Sequence, residues 1–214
     1  MIEDKKSFRV LIFGDCGTGK TQIISKYLNI YDVRMHQPYP KEIKLDNNET
    51  IKLNLIDTNG QEKYRNIHFY LLDNCDGIII LYSIDEQDTF NSVFESWIKG
   101  IKNRIDYLNS IPIYIVGNKC DLIWERKVSE EEAENKSKEY NFKYMEISIK
   151  NNININKLFK NISEDIYEKY CKEKNLNMKK IPENNLVITN KNNKPKKNVL
   201  QKISNFFKKL TKHF

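Results

Sequence analysis

The 214 residues, 39% hydrophobic and 30% charged, suffice for one sizeable domain with a core that needs no covalent staple. Cys16, Cys75, Cys120 and Cys171 form no C-x-x-C pair and have no histidines at ligand spacing, which argues against a zinc site or a disulfide framework. They read as reduced thiols of a cytoplasmic protein. The formal charge of +7 is concentrated in residues 172–214, where twelve lysines face only Glu173 and Glu183. The rest of the chain is slightly acidic, so the basicity does not call for nucleic acid as a partner. No apolar run reaches membrane-spanning length, residues 1–6 are too polar for a secretion signal, and Ile2 is not the glycine that myristoylation needs.

Along the chain, apolar strand-like runs alternate with helix-like segments. Residues 8–13 predict a strand and 20–29 a helix. Between them stands Gly14-Asp15-Cys16-Gly17-Thr18-Gly19-Lys20-Thr21, which satisfies G-x-x-x-x-G-K-[ST] in the strand-to-helix context the motif demands. Its glycines let the backbone wrap a phosphate, so that N–H groups and the helix N-terminus face the anion. Lys20 is suited to reach the β- and γ-phosphates, and the Thr21 hydroxyl to ligate Mg²⁺.

Residues 51–56 predict the next strand, followed by Asp57-Thr58-Asn59-Gly60-Gln61-Glu62. Asp57 is expected to hold Mg²⁺ through water, the Gly60 amide to meet the γ-phosphate, and Gln61 to orient the attacking water. Residues 77–84 predict a buried strand and 111–116 another, followed by Asn118-Lys119-Cys120-Asp121. A carboxylate at Asp121 accepts both N–H donors of the guanine edge, which adenine lacks. Asn118 is expected to buttress the loop and the Lys119 stem to cover the ring. Residues 144–147 predict the last strand, followed by Ser148, Ile149 and Lys150, whose backbone N–H groups are expected to bind the guanine oxygen. A helix over 156–174 closes the domain. Strand, helix, strand at this spacing predicts an α/β fold with a mainly parallel sheet covered on both faces, and functional loops at the carboxyl ends of the strands.

The strings GDCGTGKT, DTNGQEKYR, GIIILYSI, VGNKCDL and EISIK, spread over residues 7–172, resemble the Ras superfamily of small GTPases and most closely its Rab branch. The resemblance implies a P-loop G domain, a three-layer sandwich of a six-stranded sheet and five helices, with GTP/GDP and Mg²⁺ bound. It implies slow GTP hydrolysis with Gln61 as the catalytic residue, and a monomer working in vesicle traffic with an exchange factor, an activator and an effector. It also implies nucleotide contacts at Asp15, Cys16, Gly17, Thr18, Gly19, Lys20, Thr21, Gln22, Asp57, Gly60, Asn118, Lys119, Asp121, Leu122, Ser148, Ile149 and Lys150, with Thr21 and Asp57 at the metal. Tyr31 is the candidate aromatic over the guanine edge; Tyr27, or a plain core role, is the alternative.

The chain departs from that family in two places. Its first switch normally carries a metal-binding threonine, yet none lies between Thr21 and Thr50, and Pro38 and Pro40 stiffen the segment 30–41 where the switch should flex. Either the loop is divergent, with another group completing the metal shell, or the protein is a scaffold that holds GTP without cycling. The second departure is the tail. Residues 1–174 are expected to form the G domain and 175–198 an Asn/Lys-rich linker. Residues 199–214 are expected to form a basic amphipathic helix. No cysteine follows Cys171, so prenylation is not expected. Instead Val199, Leu200, Ile203, Phe206, Phe207, Leu210 and Phe214 share one helical face against Lys202, Lys208, Lys209 and Lys212. That pattern suits peripheral attachment to an anionic intracellular membrane; a partner's groove or the protein's own domain is the alternative.

Overall fold

The computed structural model describes residues 6–58, 69–103 and 111–174. Gly60, Gln61, the linker 175–198 and the segment 199–214 lie outside the described residues.

Among the described residues six strands form one sheet in the order β2-β3-β1-β4-β5-β6. They are β1 (Ser7–Gly14), β2 (Pro38–Lys44), β3 (Thr50–Asp57), β4 (Gly77–Ser83), β5 (Ile113–Asn118) and β6 (Lys143–Glu146). Only the β2–β3 pair is antiparallel. Both faces of the sheet are covered, and the alternation along each strand says by what. In β4 every residue is buried: Ile78, Ile80 and Tyr82 point to one face, Ile79 and Leu81 to the other. The first face packs under α2, which runs as Gln87–Ser92, widens to a π-helical stretch Val93–Ile98 and returns to α over Lys99–Lys102. It also meets α3 (Glu130–Glu139). The second face packs under α1 (Lys20–Leu28) and α4 (Ile155–Glu173), through Ile23, Ile24, Leu158, Phe159 and Ile162. Three layers result, as the sequence leads one to expect.

The strand bounds fall within two residues of those expected; α2 was not read from the sequence, and two further elements differ in kind. Residues 38–41, read as part of a loop, belong to β2, with Pro38 opposite Ile56 and Pro40 opposite Asn54. The prolines are tolerated because β2 is the sheet edge. Both have the same parity, so the two missing N–H donors fall on the side that no strand pairs. The loop left between α1 and β2 is therefore only 29–37. The second is α3, which sequence periodicity does not reveal because only Ala133 and Ser137 on it are buried; the Ser129 hydroxyl caps it by accepting from the Glu132 N–H at 3.1 Å.

Because β1 and β3 to β6 run parallel, their carboxyl ends gather Gly14, Asp57, Ser83, Asn118 and Glu146 along one edge of the sheet. β1 sits at the point where successive connections leave in opposite directions, which opens a crevice beyond its end.

Candidate functional site

The loop from β1 to α1 enters that crevice. Gly14 has φ 138°, and a Cβ there would lie 2.3 Å from the Leu81 carbonyl oxygen and 2.9 Å from the Thr18 hydroxyl. Glycine is thus demanded by both space and backbone. The loop closes on itself: the Thr18 hydroxyl donates to the Asp15 carbonyl at 2.9 Å, and Lys20 Nζ to the same oxygen at 2.7 Å. Lys20 is almost wholly buried, and burial lowers its pKa against the raising effects of Asp57, Cys16 and Asp15.

Asp57, at the end of β3, is fully buried. Thr21 donates its hydroxyl to Asp57 Oδ2 at 2.5 Å, while Oδ1 has no hydrogen-bond partner among the described residues. Burial raises the Asp57 pKa; the Thr21 hydroxyl, Lys20, the Thr58 amide and His36 offset this in part. An orphan carboxylate oxygen beside a hydroxyl fits a hard cation, and among the described residues no cluster of three His, Cys, Asp or Glu offers a richer metal cage. A poor protein donor set suits Mg²⁺, which keeps waters and takes the rest of its shell from phosphates.

On the far side of the phosphate loop, Asn118 is buried and ties three loops together. Its Nδ2 donates to the Thr18 carbonyl at 2.9 Å, and its Oδ1 accepts from the Ile149 N–H at 3.3 Å. Ser148 donates its hydroxyl to Asp121 Oδ1 and accepts from the Asn151 N–H at 3.0 Å. The carboxylate is thereby aimed from the side. Lys119, at φ 67°, carries its ammonium to Asp85 at 3.2 Å and Glu86 at 3.7 Å. Cys16 and Tyr31 are exposed, Tyr31 completely. Tyr27 instead stacks on Phe159 with centroids 4.0 Å apart, so the core role falls to it and Tyr31 stands available.

A family model described as the Ras family matches residues 9–168. The chain belongs to the Ras family of small GTPases. It is 30% identical over 216 residues to the Ras-like protein rasU of Dictyostelium discoideum, covering 98% of this chain and 94% of that one. Ras-related protein Rab-13 of Rattus norvegicus is 29% identical over 197 residues, 88% of this chain and 94% of that one. A Ras-like protein of Laccaria bicolor is 32% identical over 175 residues, 78% and 81% respectively. As a member of this family the chain is a hydrolase that binds guanine nucleotides.

Three groups that local motifs do not reveal support the site of this Ras-family GTPase. Trp97, from the π-helical stretch of α2, donates its indole N–H to Asp15 Oδ1 at 2.9 Å and packs against Phe13 with centroids 5.3 Å apart. Helices widened in this way often serve functional sites. Arg126 forks onto Glu146 at 2.6 and 2.8 Å, joining the segment after β5 to the end of β6, and the Tyr144 hydroxyl adds a bond to Glu146 at 2.8 Å. His36 donates its backbone N–H to the Asp57 carbonyl at 2.9 Å. Each is a through-space contact. Trp97 is fully buried, and no local pattern says what its N–H meets.

The cysteines give a direct check on this geometry. Cys16 is exposed on the phosphate loop, whereas Cys75 is 5% exposed and burial pushes its thiol up to about 12. At pH 8 only about one part in ten thousand of Cys75 is then thiolate. In the native protein a disulfide reagent such as DTNB is expected to modify Cys16 promptly and to leave Cys75 and Cys171 untouched until the chain is unfolded. Prior loading with GDP should slow the reaction at Cys16. Rapid native modification of Cys75, read by peptide mapping, would contradict the packing described.

Proposed function

We propose that this protein binds GTP with Mg²⁺ through Thr21 and Asp57, hydrolyses it slowly, and works in vesicle traffic as a Rab-like switch. The observation that carries the nucleotide site is the buried, partnerless Asp57 Oδ1 beside the Thr21 hydroxyl, at the mouth of a glycine-shaped loop whose lysine is already in place. Mg²⁺ supplies neutralisation of charge on the β- and γ-phosphate oxygens. The chain's own residues do the remaining work. Backbone N–H groups of residues 15–21 and Lys20 hold the phosphates, and Asn118 keeps the phosphate loop in register with the base loops. Asp121, aimed by Ser148, accepts the guanine edge, with the Lys119 stem, Leu122, Ile149 and Lys150 around the ring and Tyr31 free to fold over it. Gln61 orients the water that attacks the γ-phosphate.

Replacing Asp121 with Asn exchanges one acceptor for a donor. The expected result is a loss of GDP affinity of at least a hundred-fold and a gain in affinity for xanthine nucleotides, measured by competition with a fluorescent GDP. Unchanged guanine preference would remove Asp121 from the base site. Gln61→Leu is expected to lower single-turnover hydrolysis at least ten-fold with nucleotide affinity unchanged. An unaltered, near-zero rate in both proteins would favour the second reading, a GTP-bound scaffold that does not cycle. The absence of a threonine in residues 22–49 is what motivates that reading.

Residues 199–214 provide the peripheral attachment to an intracellular membrane. Four lysines opposite an apolar face, each worth about 1 kcal/mol near an anionic surface, supply the affinity. The full chain is expected to sediment with vesicles containing phosphatidylserine, and a chain ending at residue 198 is not. Equal sedimentation of both would end the membrane reading.

A further inference from the structure

Asp15 puts a carboxylate at the start of a loop that must accept phosphate. It is half-buried, one residue beyond Gly14, and its charge reaches Lys20: burial lowers the lysine pKa, while Asp57, Cys16 and Asp15 offset this in part. Yet Lys20 Nζ rests on the main-chain carbonyl of Asp15, at 2.7 Å, and the carboxylate is bonded to Trp97, whose indole nitrogen lies 2.9 Å from Oδ1. A carboxylate turned onto the ammonium would form an ion pair that a phosphate entering the loop has to break. Trp97 is built into its place. It is fully buried, packs on Phe13 with centroids 5.3 Å apart, and belongs to the π-helical stretch Val93–Ile98 between two α-helical segments. A π turn takes more residues than an α turn, so it re-aims the side chains it carries.

We propose that Trp97 is a positioning residue for nucleotide binding: its indole N–H holds the Asp15 carboxylate against α2, so that Lys20 stays on the Asp15 carbonyl with its charge open to the β- and γ-phosphates. The indole suits this task because it donates and never accepts, so it engages the carboxylate without competing for the ammonium. A buried N–H without an acceptor is costly, so the contact is held from the tryptophan's side as well. The role is electrostatic. What Trp97 restrains is the negative charge at position 15, and the penalty for losing its N–H should vanish with that charge. The inference rests on the phosphate site proposed above, in which Lys20 meets the nucleotide.

The test is a double-mutant cycle on the full chain, with the Kd for fluorescent GDP and Mg²⁺ measured for the unaltered protein, Trp97→Phe, Asp15→Asn and both together. Phe keeps an aromatic ring against Phe13 and removes the N–H. With Asp at position 15, Trp97→Phe is expected to weaken GDP binding about ten- to a hundred-fold, the loss of one hydrogen bond to a charged group. With Asn there, the same substitution should cost no more than about two-fold, because an amide has no charge to give Lys20. A tryptophan that serves only as packing costs the same in both backgrounds, so an equal loss, or no loss in either, overturns the proposal. A second readout decides where Trp97→Phe does not fold. Trp97 and Trp124 are the chain's two tryptophans and Trp124 is 97% exposed, so in Trp124→Phe the single indole N–H resonance is that of Trp97. It should move upfield when Asp15→Asn replaces a charged acceptor with a neutral one, and a resonance that stays in place overturns the proposal. Failure of the unaltered chain to bind GDP, even with that resonance responding, overturns the site assignment and the proposal with it.

Discussion

The Asn118 side chain stands between the phosphate loop and the last base loop, giving its N–H to Thr18 and taking one from Ile149. Those partners come from segments that follow β1 and β6, and Asn118 itself ends β5, so one amide sets the distance among three strand ends. Gly19 belongs to the same contact. A Cβ at that position would lie 2.6 Å from Asn118 Nδ2 and 2.8 Å from Ile149 Cδ1. A larger residue would therefore separate the phosphate loop from the base loops, and a site matched to one rigid ligand would lose its register. Leaving a buried amide with an unmet donor or acceptor costs about 1–3 kcal/mol. The three loops are thereby coupled through one side chain.

Lys20 and Asp57 face the opposite problem, since burial works against the charge each must carry. The fold accepts that cost because parallel strands deliver their ends to one edge, and apolar packing of Phe13, Ile56 and Ile80 behind them supplies compensating stability. Asp57 Oδ1 is buried without a hydrogen-bond partner among the described residues. Trp97 holds Asp15 from behind, so the loop whose carbonyl engages Lys20 is fixed from two directions.

Most of the fold was legible in runs of consecutive residues: glycine spacing predicts the loop between β1 and α1, and Asn118 to Asp121 the loop after β5. β2 was not legible, because Pro38 and Pro40 are poor strand formers everywhere except on an edge, and the edge is known only once the sheet is assembled. α3 was marked only by its Ser129 and Glu132 cap, its buried face being too narrow to give a period. Trp97, Arg126 and His36 act across the fold on Asp15, Glu146 and Asp57. Their roles depend on where loops end, a quantity that no local pattern carries.

The same distinction bears on where this protein moves. The Ser25 hydroxyl bonds the Ile30 carbonyl and holds one end of the loop 29–37, while β2 holds the other with two residues whose φ is fixed. Between those ends the loop is joined to the end of β3 by the bond between His36 and Asp57. That bond joins backbone to backbone, and any residue could make it. Tyr31, next to the Ile30 anchor, is wholly exposed.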